Sequence, residues 1–299
     1  VSCDGKCRQT GILPACSIEP GQTGSLALPL DVPESGKVYL KLTYYQKNEI
    51  PLVSPGHLLG YEELPLENRD GRNQTACRLM KSCPVSGPEN SVGIRETDEA
   101  IVLEGAHFTY CLDKRTGLFS QLTYESREYL DRPMELNIWR APTDNDRYIK
   151  EEWKRAQYDR AYARAYDTKV CQKDSGLEIR SRLSMGAATV QPMLWAEAVW
   201  QVEADGGLGV SLFVKRNMEF PELPRFGIRL FLNRELDQAS YCGLGPYESY
   251  RDKCRASVHG LYQSPVIKLH EDYLRPQENG SHMDCDYVIL SGGVYSLAA

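Results

Sequence analysis

Apolar and polar positions alternate with a period of two along much of this chain. Residues 36–45 place Val38, Leu40 and Leu42 on one face, which predicts a half-buried strand. Residues 25–30 alternate and then break at Pro29, which predicts a short strand at a sheet edge or strand end. Residues 57–64 are a further mixed stretch. The first eighty-odd residues therefore predict a small β-sandwich. Residues 83–90 hold Pro84, Gly87 and Pro88, a composition that marks a domain boundary.

A second strand-rich block begins near Gly93. Residues 108–113 and 118–124 read as two strands, with Gly117 closing the turn between them. Further strands are expected over 177–183, 194–202, 209–215 and 226–232, with Asp205, Gly206 and Gly207 forming a hairpin. Residues 160–166 are rich in helix-favouring alanine, yet Ala alternates with Tyr and Arg as in a strand, and strand is preferred. Helix is limited to about one segment near Glu151, Glu152, Trp153 and Lys154. The pattern is all-β.

Composition narrows the function. With 299 residues, 25% charged and 41% hydrophobic, the chain is long enough for two folded domains. A net charge of −6 without a basic stripe argues against nucleic acid or an anionic membrane as partner. No apolar run reaches transmembrane length. The polar start at Val1 lacks both a signal peptide and an initiator Met, so a processed chain or a piece of a longer one is expected. The ten cysteines are even in number but scattered: Cys3, Cys7, Cys16, Cys77, Cys83, Cys111, Cys171, Cys242, Cys254 and Cys285. Their spacings match no zinc pattern, and cytoplasmic thiols, several in strands, are the preferred reading. The sequons at Asn73 and Asn279 are short enough to arise by chance.

Candidate chemistry concentrates in residues 140–146, Arg140, Ala141, Pro142, Thr143, Asp144, Asn145 and Asp146. Pro142 fixes φ and turns Ala141 away from helix, and Asp144 and Asn145 suit Asx-turns. Leu136, Ile138 and Trp139 lead in, and a helix-like stretch over 149–158 leads out. A binding loop and a self-capped turn both fit. As a catalytic pair, Asp144 and Asp146 are poor, because alternate residues on one short loop splay apart or crowd; as metal ligands they lack announced partners. Residues 243–246 mimic a phosphate loop, but Pro246 breaks it, and a tight turn between strands is expected. Tyr247, Glu248 and Tyr250 beyond it suit either a bound ligand or an anchored loop. Glu278, Asn279 and Gly280 suit an exposed turn. His57, His107, His259, His270 and His282 show no metal spacing, and no nucleophile elbow is present.

Three stretches now carry a resemblance. Residues 140–146 resemble the hallmark of the last domain of the large β-galactosidases of glycoside hydrolase family 2. Residues 109–122 are similar to the hairpin that opens that domain, residues 243–252 to a second signature, and residues 275–280 to a third, all in the family's order. Ser54, Pro55, Gly56 and His57 resemble the end of the preceding sandwich. The resemblance implies an immunoglobulin-like β-sandwich over 1–88 and, over 89–299, a large antiparallel supersandwich of the galactose mutarotase-like kind, truncated at its C-terminus.

The same resemblance implies a fragment without catalytic residues of its own. The family's two glutamates, and the magnesium and sodium it uses, lie on an upstream (β/α)8 barrel, whose strand–helix alternation this chain lacks. No metal or cofactor is expected here. Arg140, Asp144, Asn145, Asp146, Arg147, Tyr247, Glu248, Glu278 and Asn279 are expected near substrate, supporting the cleft. Many members have an aliphatic residue and Gly where this chain has Arg147 and Tyr148, so glycine-dependent loop mobility is in doubt. Expected partners are the barrel, galactosides such as lactose, and further copies of the parent protein. The alternatives are a mutarotase-like aldose epimerase, which needs His107 or His259 to converge with Glu248, and a carbohydrate-binding module.

Overall fold

The computed structural model describes residues 1–14, 18, 19, 21–81, 92–173 and 176–299. The expected boundary at 83–90, Cys16 and Cys83 lie outside them. The all-β expectation holds: the strands build several sheets, and the ladders between them are antiparallel. No helix among the described residues is long and apolar enough to cross a membrane. The chain divides into two compact units, one of Val1–Lys81, Asp237–Glu271 and Asn279–Ala299, the other of Ser82–Leu236 and Asp272–Glu278.

In the first unit, Lys6–Cys7, Ser2–Cys3, Val38–Tyr45 and Leu58–Leu66 lie side by side in that order. Val38 and Leu40 are buried, as their alternation requires. The strand expected over 25–30 is absent. That segment is mostly exposed, and the Gln9 side chain holds it, donating to Pro29 O at 2.9 Å and accepting from Asp31 N at 3.0 Å. Pro29 has no N–H to give a ladder, so side-chain bonds hold the backbone instead.

The single-helix expectation also needs correction. A short helix α1, Gln74–Leu79, follows Asn73, whose side chain accepts from Thr75 N and Ala76 N. The unit's second sheet runs Val258–Pro265, Gln238–Gly245, Tyr287–Gly292 and Tyr295–Ala298. Gly243 and Gly245 lie inside a strand of this sheet, not in a tight turn. At Gly243 the reason is close approach: an added Cβ would fall 2.8 Å from Cys285 Cα.

In the second unit, the strands Gly93–Glu96, Ala100–Glu104, Phe108–Asp113, Leu118–Tyr124 and Arg127–Glu128 form a five-stranded meander. Gly117 sits at φ +71°, in the permissive turn position expected of it. Leu130–Asn137 pairs with Gly227–Leu232. Tyr162–Lys173, Gly176–Gly186, Leu194–Glu203 and Leu208–Arg216 form a four-stranded sheet. Of the ambiguous residues 160–166, Arg160 ends a 3-10 turn at Tyr158–Arg160 and the sheet begins at Tyr162, so tertiary pairing overrides the helix propensity of alanine. Ile101, Leu112, Phe119, Ile138, Ile179 and Leu194 are fully buried in this unit's core. Trp200 ties the core to the hairpin at Gly117 by donating its indole N–H to Gly117 O at 3.0 Å.

Candidate functional site

The strand Leu130–Asn137 delivers the candidate loop. Ile138 is fully buried beyond it and Trp139 packs against the core, so Arg140 emerges from a fixed base. Asn137 braces the exit: its amide donates to Trp139 O at 2.9 Å and its oxygen accepts from Trp139 N at 3.2 Å. Pro142 keeps the chain extended, and Asp144–Asp146 then close a 3-10 turn. Helix α2, Ile149–Arg155, leads out as expected, with Glu151 and Glu152 in its first turn and Lys154 and Arg155 in its last.

Asp146 organises the turn. It is only 9% exposed, and both carboxylate oxygens take the Arg140 guanidinium as a fork. One oxygen also accepts from Thr143 N at 2.7 Å and Thr143 Oγ1 at 2.9 Å. Burial alone would raise its pKa, but the Arg140 and Thr143 hydrogen bonds outweigh burial and hold it below the usual carboxylate range. Arg140 further donates to Pro224 O at 3.4 Å and lies 5.5 Å from the Trp153 ring centre. Trp153, 4% exposed, donates to Glu222 O at 2.9 Å.

Glu278 belongs to the same unit and meets this loop. It accepts from Ala141 N at 3.0 Å and from Arg225 at 2.6 Å, while Gln277 Oε1 accepts from Asp144 N at 3.3 Å. Two of the sequence signatures are therefore one construction. Asp144, Asn145 and Arg147 are exposed, and the Arg147 guanidinium lies over the ring of its neighbour Tyr148. The Asp-x-Asp pair does not converge: Asp146 turns inward to Arg140 while Asp144 faces solvent.

Tyr247, Glu248 and Asn279 lie in the first unit. Glu248 is 5% exposed and accepts from the Lys253 amine, from Tyr250 OH at 3.3 Å and from Gly280 N at 3.0 Å. Tyr247 is exposed, and Asn279 donates to Glu271 O at 3.1 Å. The carboxylate beside the His259 ring is that of Asp286, at 3.1 Å, in place of the Glu248 that an epimerase reading paired with it. His107 is exposed in the turn before Phe108–Asp113.

Chemically, the three buried or half-buried candidate carboxylates, Asp146, Glu248 and Glu278, each already hold a cationic partner. Such groups fix loops well and give up or take protons poorly. A groove of about 580 Å³ opens on the four-stranded sheet of the second unit between Tyr166, Arg182, Trp195, Glu197 and Phe213. None of the candidate residues lines it.

The family model for the beta galactosidase small chain matches residues 104–296. The beta-galactosidase of Actinobacillus pleuropneumoniae is 33% identical over 266 residues, 88% of this chain and 26% of that protein. The beta-galactosidase of Staphylococcus xylosus is 31% identical over 217 residues, 72% of this chain and 22% of that protein. That of Lactobacillus delbrueckii subsp. bulgaricus is 30% identical over 268 residues, 88% of this chain and 25% of that protein. The chain thus spans about a quarter of the length of these curated relatives. The match runs through the hairpin at Gly117, the Arg140–Asp146 turn and the Glu278 contact that braces it, and the chain belongs to the beta galactosidase small chain family.

Proposed function

We propose that this chain is the small-chain region of a β-galactosidase that hydrolyses terminal β-D-galactosides with retention, and that both catalytic glutamates lie outside it on a barrel. Its own work is to support the cleft, the barrel and contacts between copies of the parent protein. The observation that carries this is the state of Asp146: both of its oxygens are committed to Arg140, with Thr143 added. Retaining hydrolysis needs one carboxyl group that cycles a proton and a second free to attack. A carboxylate locked in a guanidinium fork supplies neither, but it holds a loop rigidly beside a cleft.

The magnesium and sodium implied by the family resemblance do not fit the candidate loops. Asp146, Glu278 and Glu248 face Arg140, Arg225 and Lys253, while Asp144 turns to solvent away from them, so no set of vacant oxygen donors converges there. Those ions belong to the barrel in this proposal. In this proposal the parent protein works in the cytoplasm, where thiols such as the eight described free cysteines stay reduced.

The test compares the purified chain with the parent protein carrying its upstream region. The chain alone should release no chromophore from a nitrophenyl β-galactoside, while the parent should turn it over. Clear turnover by the chain alone would overturn the proposal. Fresh α-galactose followed by polarimetry should relax at the rate of buffer; acceleration by the chain would favour an epimerase.

A further inference from the structure

Away from the candidate loops, a thiol, an imidazole and a carboxylate meet inside the first unit. Cys242 comes from the strand Gln238–Gly245, His259 from Val258–Pro265, and Asp286 from the residue before Tyr287–Gly292. Their donor atoms, the Cys242 Sγ, a ring nitrogen of His259 and an oxygen of Asp286, lie within 4.8 Å of one another. Cys242 is fully buried and His259 is 4% exposed.

The buried His259 ring points to a ligand. Neither ring nitrogen makes a hydrogen bond among the described residues. Nε2 lies 3.1 Å from Asp286 Oδ2 but lacks the alignment of a bond. A neutral imidazole carries one donor and one acceptor, and a buried ring that satisfies neither needs an explanation. The ring cannot simply turn away, since it is stacked on Tyr39 with centroids 4.6 Å apart.

We propose that Cys242, His259 and Asp286 bind one zinc ion. Sulfur, nitrogen and oxygen together select zinc over magnesium or calcium, which take oxygen alone. Zinc bond lengths place neighbouring tetrahedral ligands roughly 3.3–3.8 Å apart. The cluster is already near that size, so small side-chain movements close it. Three protein ligands leave a fourth position for water.

The neighbouring side chains hold the three ligands in place. Lys37 donates to Asp286 Oδ1 at 2.8 Å, which leaves Oδ2 on the side of His259. The Asn73 amide lies 3.3 Å from Cys242 Sγ and 3.1 Å from Asp286 Oδ2, donating to both, as outer partners of a thiolate and a ligating carboxylate do. Loading expels the Cys242 thiol proton to solvent as the zinc–sulfur bond forms. Thiolate and carboxylate then balance the two charges of the ion. The ion would join two strands and the segment leading into a third, which no local spacing of ligands reveals.

Cobalt(II) reads this site directly, because a thiolate bond gives a near-ultraviolet charge-transfer band and tetrahedral geometry gives intense visible bands. The full-length protein, stripped with chelator, should bind one equivalent of cobalt with both features, and zinc should displace it. Cys285→Ser, at an exposed neighbouring thiol, should behave as the unaltered protein does. Cys242→Ser should lose the charge-transfer band, and His259→Ala should weaken binding at least 100-fold. Absence of a thiolate band in the unaltered protein would overturn the proposal, whatever the folding of the variants. An unchanged band in Cys242→Ser would overturn it equally.

Discussion

Arg140 and Asp146 grip each other across the 3-10 turn, the two terminal guanidinium nitrogens of one meeting both carboxylate oxygens of the other. Their side chains are 17% and 12% exposed, so the pair is largely withdrawn from water. Thr143 adds two donors to the same carboxylate, and the Trp153 ring lies beside the guanidinium. The loop thus has one electrostatic centre, set between a buried strand exit and a buried helix residue.

Asp146→Asn removes the charge while keeping the shape. Arg140 then loses its counter-charge in a half-buried place, which should cost about 3 kcal/mol in urea denaturation. The pH dependence has a definite sign. The folded-state pKa of Asp146 is depressed, so its contribution is full above the unfolded value of about 3.9 and is lost as pH falls through the folded value. The variant should therefore show a flatter acid limb. A variant as stable as the parent chain at pH 7 would show that the fork contributes nothing.

Much of this was legible beforehand, and the exceptions have physical causes. Strands such as Val38–Tyr45 and Leu194–Glu203 declare themselves because one face is buried and the other is not. Helix α1 is silent because it buries none of its residues and so carries no apolar period; only the cap at Asn73 announces it. Residues 25–30 mislead in the opposite way, alternating without a partner strand. The turn at 140–146 stands out by composition, but the partner of Ala141 N is Glu278, 137 positions later, and no local pattern encodes that. Cys242, His259 and Asp286 are hidden for the same reason, since register between strands brings them together.

Glu278→Ala should loosen the loop from outside. Ala141 N loses its acceptor and Arg225 its carboxylate. The expected cost is about 2 kcal/mol, with faster amide exchange at Ala141 as the local signature. Glu278→Gln keeps an acceptor for Ala141 and should retain much of its protection. Equal exchange at Ala141 in both variants and the parent would show that the bond does not hold the loop.

Gly117→Ala tests the hairpin that the sequence placed correctly. The residue sits at φ +71°, and an added Cβ would fall 2.8 Å from the Cβ of Ser181, which is fully buried. Left-handed backbone and overpacking together should cost about 3 kcal/mol. Gly56→Ala is the control, with φ +84° but nothing within 4 Å of the new Cβ. It should cost only about 1 kcal/mol, the backbone share alone. Equal losses in thermal melts would mean that the Ser181 contact is relieved by movement.

Asn73 performs two tasks that substitution can separate. Its oxygen caps α1 by accepting from Thr75 N at 3.0 Å and Ala76 N at 3.1 Å, while its amide donates to Asp286 and Cys242. At 4% exposure it is closed to glycosylation in the folded chain, despite its sequon. Asn73→Ala loses both tasks and should cost about 2 kcal/mol. Asn73→Asp keeps the cap, because Asp and Asn serve equally there. It also sets a carboxylate against Asp286, and like charges at one buried site raise a pKa. A raised folded-state pKa gives a penalty that is absent below about pH 3.9 and grows as pH rises towards the folded value. With chelator present to exclude metal, Asn73→Asp should therefore be at least as unstable as Asn73→Ala at pH 7 and regain stability, relative to the unaltered chain, near pH 4. If Asn73→Asp matches the unaltered chain at pH 7, the cap is the only contribution of Asn73, and its amide is idle.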